Sequence, residues 1–429
     1  MVSYGSTSEP GITTDVESAL TISTSGEAPT DVGLVGQADL TVGTANPNEV
    51  YQITRASKAR EYFGEESLLA NAVVDALDMG AYPVYAVATV ENEVTGEDLS
   101  GLTSTTGSFV NAPVIETAAD ISVVIDGTEK AVNVTYDDPA ALSPNTDEVY
   151  VNPVEASFEL DTAPSDADDT NDTASYTWYD YEGAIDAMAA DAGEVIDFLV
   201  PVSENASVTA YTQSTLSTMA GEYNFALGLV GAGTYIDPMS YENAFDDSRM
   251  QVVYPTRNAS GHSVLGSYAG LRASLGIRTT PINKTLDNQK DLAESLNKAQ
   301  RGSLIDARVV PLADEAAGAR VADDVNSVSN DNSDEAGIRY GFSRLVFDFA
   351  ITTVRINEKP FIGRLNSPAV RNALEGLLNN QLKPLTRSNA IISFSAEVFE
   401  VDATTASVEL QIDAAEPLRF IENTVTVGA

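Results

Sequence analysis

Apolar positions along the 429 residues follow two periods, and the switch between them divides the chain. In "EESLLANAVVDALDMGA", Leu68, Ala72 and Ala76 form one row and Leu69, Val73 and Leu77 the next, the i, i+4, i+8 stripe of an amphipathic helix. Gly80 stands where a helix-ending glycine belongs. The short apolar runs "DVGLVGQADL" and "PVYAVATV" on either side predict buried strands, and Ser57 is positioned to cap a short helix ending near Gly64. Strand, helix, strand in that order favours a parallel sheet. The alternation returns after residue 177. "YEGAIDAMAADAG" and "TAYTQSTLSTMAGEY" predict helices. "EVIDFLVPV", "NFALGLVGAG" and "RMQVVYP" predict strands, and "GSYAGLRASLG" a small-residue helix able to pack closely.

Residues 91–176 change to a period of two. "DISVVIDGTEKAVNVTY" is a pair of alternating runs around Asp126-Gly127, a strong hairpin signal, and "EVYVNPVEASFEL" continues the pattern. This predicts a small antiparallel β domain inserted between the halves of an α/β domain. The polar loop "DTAPSDADDTNDTAS" closes it. After residue 290, "DARVVPLAD" and "ARVADDVNSVS" predict strands, and "YGFSRLVFDFAITTVRI" a helix buried on several sides. That helix has to stop before Pro360. Ser367-Pro368 is an N-cap followed by a first-turn proline, Val370, Leu374, Leu377, Leu378 and Leu382 form the stripe of the next helix, and Lys383-Pro384 is expected to end it. Two long strands follow, "AIISFSAEVFEVD" and "TASVELQIDA". The first 30 residues are polar and extended. In "LRFIENTVTVGA", Ile421, Asn423, Val425 and Val427 share one face of an extended strand.

The fold class read from these patterns is multidomain, α/β and α+β. It comprises an N-terminal extended arm (1–30), an α/β middle domain (31–90 plus 177–290), an inserted outer β domain (91–176), an α+β C-terminal domain (291–416) and a C-terminal extended arm (417–429).

Composition narrows the chemistry. There is no cysteine and one histidine, His262, so disulfides, thiolate metal sites and most base-catalysed reactions drop out. The formal charge is −41 and the sequence pI about 4.1, which repels nucleic acid and anionic membrane surfaces. The carboxylates lie in folded-looking segments and arginine outnumbers lysine, as expected of a protein adapted to molar salt. At about 1 M salt the Debye length is about 3 Å, so such charges cease to repel. The N-terminus has neither the basic region nor the apolar core of a signal peptide, and no apolar run approaches the length of a membrane span. The sequons at Asn133 and Asn205 are read as chance. Residues 301–429 hold 12 basic and 18 acidic side chains, against 11 and 46 in the remainder. A less acidic surface suits a buried protein interface, because unpaired charge is costly to desolvate.

The motifs that resemble active sites are incomplete. "GHSVLG" departs from a nucleophile elbow at Leu265, where glycine is needed, and leaves no second histidine as base. "GLVGAG" has the dinucleotide-binding glycines in reversed order, with no helix signal after it, and reads as a strand-end loop. "DADDTND" lacks the central glycine and closing glutamate of a calcium loop. "YTWYDY" reads as packing where the insertion rejoins the middle domain. No catalytic, cofactor-binding or metal-binding residue is assigned.

The segments "AQRGSLIDARVVPLADE", "FSRLVFDF", "NEKPFIGRLNSPAVRNALEGLL" and "DATTASVELQID" resemble the C-terminal domain of contractile tail sheath proteins of phages and related injection systems. "GSYAGLRASLGI", "EPGI" and the run from "DVGLVGQAD" to "GAYPVYAV" resemble further parts of the same family, while residues 91–176 match nothing in it. The resemblance implies subunits stacked as hexameric rings around a tail tube, with baseplate and tail terminator proteins at the ends. It implies a virion tail assembled in the host cytoplasm, which contracts to drive the tube through an envelope. It also implies terminal arms that add strands to neighbouring subunits, here through Ile12, Val16, Ile22, Phe420, Ile421, Val425 and Val427. Arg355, Lys359, Arg364 and Arg371 flank the best-patterned C-terminal segment and are expected to face the tube. No cofactor, nucleic acid or membrane partner is implied. A haloadapted surface protein binding glycans through the inserted domain is the alternative the residues leave open.

Overall fold

The computed structural model describes residues 30–166, 170–193, 195–277, 279–329, 338–416 and 419, together with the backbone at 2–4 and 14–16. The two short N-terminal strands, β1 (Val2–Tyr4) and β2 (Thr14–Val16), pair antiparallel with each other, Val2 opposite Val16.

The first apolar run becomes β3 (Val32–Gly36), buried throughout. After β4 (Val50–Ile53) comes α1 (Ala56–Phe63), which starts at Arg55 with no side-chain cap, so Ser57 lies inside the helix and does not cap it. In α2 (Leu68–Asp78) Ser67 caps the amide of Ala70, and Gly80 takes φ +103° just past the end. β5 (Val84–Ala88) completes the unit, parallel to β3.

Seven strands follow: β6 (Val90–Asp98), β7 (Thr106–Ser108), β8 (Ser122–Ile125), β9 (Thr128–Val134), β10 (Glu148–Asn152), β11 (Ser157–Leu160) and β12 (Thr173–Asp180). They form one sheet in the order β6-β12-β8-β9-β10-β11-β7. Asp126 and Gly127 turn the β8–β9 hairpin with φ of +51° and +70°, as its two-residue loop requires. The sheet is not wholly antiparallel, because β9 and β10 run parallel. The crossover over residues 135–147, with a 3₁₀ turn at Pro139–Ala141, is long enough to restore the chain direction. This sheet has its own core, in which Phe109 stacks on Tyr176 at 4.7 Å beside Phe158.

The chain then alternates again through α3 (Tyr181–Ala192), β13 (Phe198–Pro201), α4 (Ala206–Gly221), β14 (Leu227–Gly231), β15 (Met250–Tyr254) and α5 (Leu265–Leu275). It continues with β16 (Thr285–Leu286), α6 (Lys298–Asp306), β17 (Val309–Ala313) and β18 (Ala319–Val321). A nine-stranded sheet runs β16-β18-β17-β15-β14-β13-β3-β5-β4, parallel from β17 to β5 and antiparallel at both margins. The parallel strands reverse their direction of progress between β3 and β13, the doubly wound arrangement. The expected start of the last domain at 291 falls inside this sheet, since β17 and β18 extend it beyond β15. The glycines of α5 explain its close packing. A Cβ on Gly266 would lie 2.2 Å from the Ala72 carbonyl oxygen, and one on Gly270 2.3 Å from that of Ala76.

The remainder is α7 (Gly341–Glu358), α8 (Pro368–Arg387), β19 (Ile391–Glu400) and β20 (Ala406–Ala414). Contrary to expectation, Lys383-Pro384 does not end α8. Leu385 continues the buried row of Leu374, Leu378 and Leu382, and burial of that row outweighs the one amide that proline removes. One apolar core runs from α1, α2 and α5 on one face of the large sheet into α7, α8 and the β19–β20 pair. A second, on the opposite face, holds α3, α4 and α6.

Candidate assembly site

The C-terminal platform is built from α7 outward. Tyr340 at the N-cap of α7 offers no side-chain cap. Asp324 replaces it from a distance. Its carboxylate accepts from the Phe342 amide at 3.0 Å, Gln251 Nε2 at 2.9 Å, Arg272 at 2.9 Å and Thr280 Oγ1 at 3.1 Å. Gly341 is required there, because a Cβ would approach Gln251 Nε2 to 2.5 Å and the Arg272 guanidinium to 2.7 Å. About two turns further on, Asp348 accepts from Arg249 at 2.8 and 2.9 Å and from Arg344 Nε at 3.1 Å, all three side chains buried. Paired, desolvated charges thus lock the first half of α7 onto β15 and α5.

At the far end of α7 the cations have diverse fates. Arg355 lies over the Tyr223 ring, 3.1 Å from its centroid, so it braces α7 against the end of α4. Glu358 beside it is buried, and burial pushes its carboxyl up to about 7 against the opposing pull of Arg355. Lys359 and Arg364 are exposed. Arg364 Nε donates to the Pro360 carbonyl at 3.0 Å, with its guanidinium 4.6 Å from the Phe361 ring centroid. Arg371 turns inward, donating to Asn366 Oδ1 at 2.7 Å and pairing with Glu400 at 2.7 Å. Asn366 in turn donates to the Asp402 and Thr405 carbonyls at 2.8 and 3.2 Å, fastening the α7–α8 connection to the β19–β20 turn. Two of the four cations expected to face a partner are therefore engaged inside the subunit and two are presented outward. Beside these two, Ile356, Ile362 and Leu365 are exposed, Leu365 to 87%.

β19 and β20 form a two-stranded sheet with α8 against one face. Ala396, Leu410, Ile412 and Ala414 turn inward and Glu397, Glu409, Gln411 and Asp413 outward, the alternation of a half-buried sheet. Among the described residues, neither strand has a partner on its outer edge. Ile392, Phe399 and Val401 are exposed on or beside β19, so among the described residues six of the twelve exposed large hydrophobics fall between residues 356 and 401. Arg419 pairs with Asp323 and donates to Tyr340 Oη at 3.2 Å, which fixes the chain beside the start of α7 at that point. Of the residues expected to exchange strands, Ile12, Ile22, Phe420, Ile421, Val425 and Val427 lie outside the described residues. Val16 belongs to β2 and is paired by its backbone with Val2.

The motifs read as incomplete have structural work. The Ser263 hydroxyl accepts from the Leu265 amide at 3.3 Å. Gly228 and Gly231 lie within β14. Asp172 accepts from the Asp126 amide at 2.7 Å, and among the described residues no group of three histidine or carboxylate side chains could hold a metal ion. No described helix is long and apolar enough to cross a membrane. The charges on Arg249, Arg272, Asp324 and Asp348 escaped the sequence reading. The signal was present in "FSRLVFDF", where Arg344 and Asp348 stand four apart in an otherwise apolar helix.

No protein-family model and no curated protein matches the sequence. Solved structures do match. A chain of the anti-feeding prophage baseplate, 6-fold symmetrised, aligns over 99% of this chain and 100% of its own with a TM-score of 0.60 at 14% identity. The anti-feeding prophage helical sheath in its contracted state aligns over 98% and 99%, with a TM-score of 0.59 at 14% identity. The sheath tail protein of Desulfitobacterium hafniense aligns over 91% and 97%, with a TM-score of 0.54 at 15% identity. Taken with the platform just described, these alignments give the chain the fold of the contractile tail sheath proteins.

Proposed function

We propose that this chain is the structural subunit of a contractile tail sheath. It polymerises as stacked hexameric rings around a tail tube and contracts to drive that tube through a cell envelope. The observation that carries the reading is the β19–β20 pair. Strands of ten and nine residues whose outer edges no other described strand occupies are unusual on a free subunit, since each such edge is a template for another strand. Here they receive strands donated by neighbours. The arms at 1–30 and 417–429 are the donors, through Ile12, Val16, Ile22, Phe420, Ile421, Val425 and Val427. Main-chain hydrogen bonds supply affinity and the alternating side chains supply register. Arg419 anchors the base of the second arm on Asp323 and Tyr340.

In this arrangement the nine-stranded sheet and its helices form the middle domain, 91–176 project outward, and the platform lies inside, facing the tube. Lys359 and Arg364, set beside Ile362 and Leu365, dock on the tube protein. Baseplate and terminator proteins hold the two ends, and the sheath is assembled in the host cytoplasm as part of a virion tail. Contraction is a repacking of subunit interfaces between two stable arrangements, with arms serving as tethers and no fuel bound by this chain. The charge of −41 calls for molar salt during assembly. Deleting residues 417–429 tests the arm model: the subunit should stay folded and fail to form tubes in electron micrographs. Normal tubes from the truncated chain would contradict it.

A further inference from the structure

A buried cation sits between the seven-stranded sheet and the nine-stranded one. Arg257 follows β15 and is buried. Its Nε and one terminal nitrogen donate to the two carboxylate oxygens of Glu204, each at 3.0 Å, and the same terminal nitrogen reaches Glu116 Oε1 at 3.2 Å. The other terminal nitrogen donates to the Gly261 carbonyl at 3.1 Å. The guanidinium lies over Tyr136, 4.2 Å from the ring centroid, while the Tyr136 hydroxyl donates to Glu116 Oε2 at 2.6 Å. Glu204 and Gly261 belong to the body, Glu116 and Tyr136 to the insertion. Two further bonds cross the same seam, from Asn205 Nδ2 to the Val154 carbonyl at 2.8 Å and from Asn152 Nδ2 to Thr234 Oγ1 at 3.0 Å.

Glu204 and Asn205 follow β13, Thr234 follows β14 and Arg257 follows β15. The seam therefore covers the carboxyl ends of adjacent parallel strands, next to the reversal between β3 and β13. In doubly wound sheets that crevice is where a ligand binds. Here the chain fills it with its own side chains. Gly231 makes room for them, since a Cβ would lie 2.7 Å from Thr256 Cγ2 and 2.8 Å from Glu204 Cγ. The covalent connections at the seam have no slack either. β5 passes into β6 through Thr89 alone, and Asp180 both pairs with Val90 and caps α3 through the Gly183 amide.

We propose that Arg257 bolts the insertion to the carboxyl ends of β13, β14 and β15, so that insertion and body move as one rigid unit. A bidentate guanidinium–carboxylate pair shared with a second carboxylate and removed from water fixes geometry as well as distance. Loss of its insertion-side partners leaves the paired strands β6 and β12 and the two asparagine bonds, none of which fixes orientation as the guanidinium does. This does not depend on the sheath reading.

The chain has no cysteine, so Val110→Cys on the insertion and Val195→Cys on the body give two unique spin-label sites, both exposed. Double electron–electron resonance on the full chain should give one narrow distance distribution. Glu116→Gln with Tyr136→Leu leaves the Arg257–Glu204 pair in place and should broaden it about twofold. A second pair at Val42→Cys and Val195→Cys, both in the body, should not change. Tyr136→Phe should broaden the first pair to a smaller extent. A distribution that is broad before any substitution, or unchanged by the double variant, overturns the proposal. So does equal broadening of the two pairs, which would make these residues part of general folding.

Discussion

Arg371 at the start of α8 and Glu400 at the end of β19 stand 2.7 Å apart and close the α7–α8 connection onto the β19–β20 turn. This contact separates charges that hold the platform together from charges the platform presents. Arg371→Ala should lower stability by about 1 kcal/mol, since Glu400 is half exposed and the pair is partly screened. Lys359→Glu with Arg364→Glu should leave the melting curve unchanged and weaken co-sedimentation with the tube protein. Unchanged co-sedimentation would remove these two residues from the docking surface.

Asp324 is the more severe position. Substituting it with alanine strands the buried Arg272, leaves Thr280 without its acceptor, reduces Gln251 to two main-chain carbonyls and uncaps α7. Breaking a buried pair by removing one partner costs about 3–5 kcal/mol. Urea unfolding should show a loss of that size, and a loss below about 1 kcal/mol would mean that α7 is held by apolar packing alone.

Glu155 gives the seam a pH dependence. Burial, reinforced by nearby Glu204, pushes its carboxyl up to about 7 from an ordinary 4.5. The folded chain therefore keeps a proton that the unfolded chain releases between about pH 4.5 and 7. This group's contribution to stability falls as pH rises through that window and stays low above it. Glu155→Gln should match the parent at pH 4 and exceed it by about 1–3 kcal/mol at pH 8. Equal stabilities at pH 8 would show the carboxylate to be well solvated.

Salt acts on the whole surface. A chain of net charge −41 should melt at a lower temperature in dilute buffer than in molar KCl and should refold when salt is restored. A melting temperature independent of salt would end the molar-salt reading.

How much of this was legible depended on how local the physics is. Leu68, Ala72 and Ala76 announced α2, Asp126-Gly127 announced the β8–β9 hairpin, and Ser367-Pro368 announced α8, because each signal lies within a few residues of its effect. Pro384 misled because the opposing term, the buried row ending at Leu385, depends on packing against the β19–β20 pair. β4 and β16 are short marginal strands with little periodicity, and the capping box of α6, Asn297 with Gln300, passed unnoticed before a weak stripe. Nor could spacing reveal that β17 pairs with β15, or that Arg371 turns inward while Arg364 does not. Those choices are set by residues far away in the chain, Glu400 and Val253 among them.

The central claim is that these subunits polymerise by completing one another's sheets. Negative-stain electron microscopy of the purified full-length chain in molar salt tests it most directly. Hollow tubes built of stacked six-membered rings are the expected result. Separate single particles at every salt and protein concentration, with a β19–β20 pair that acquires no third strand, would contradict it.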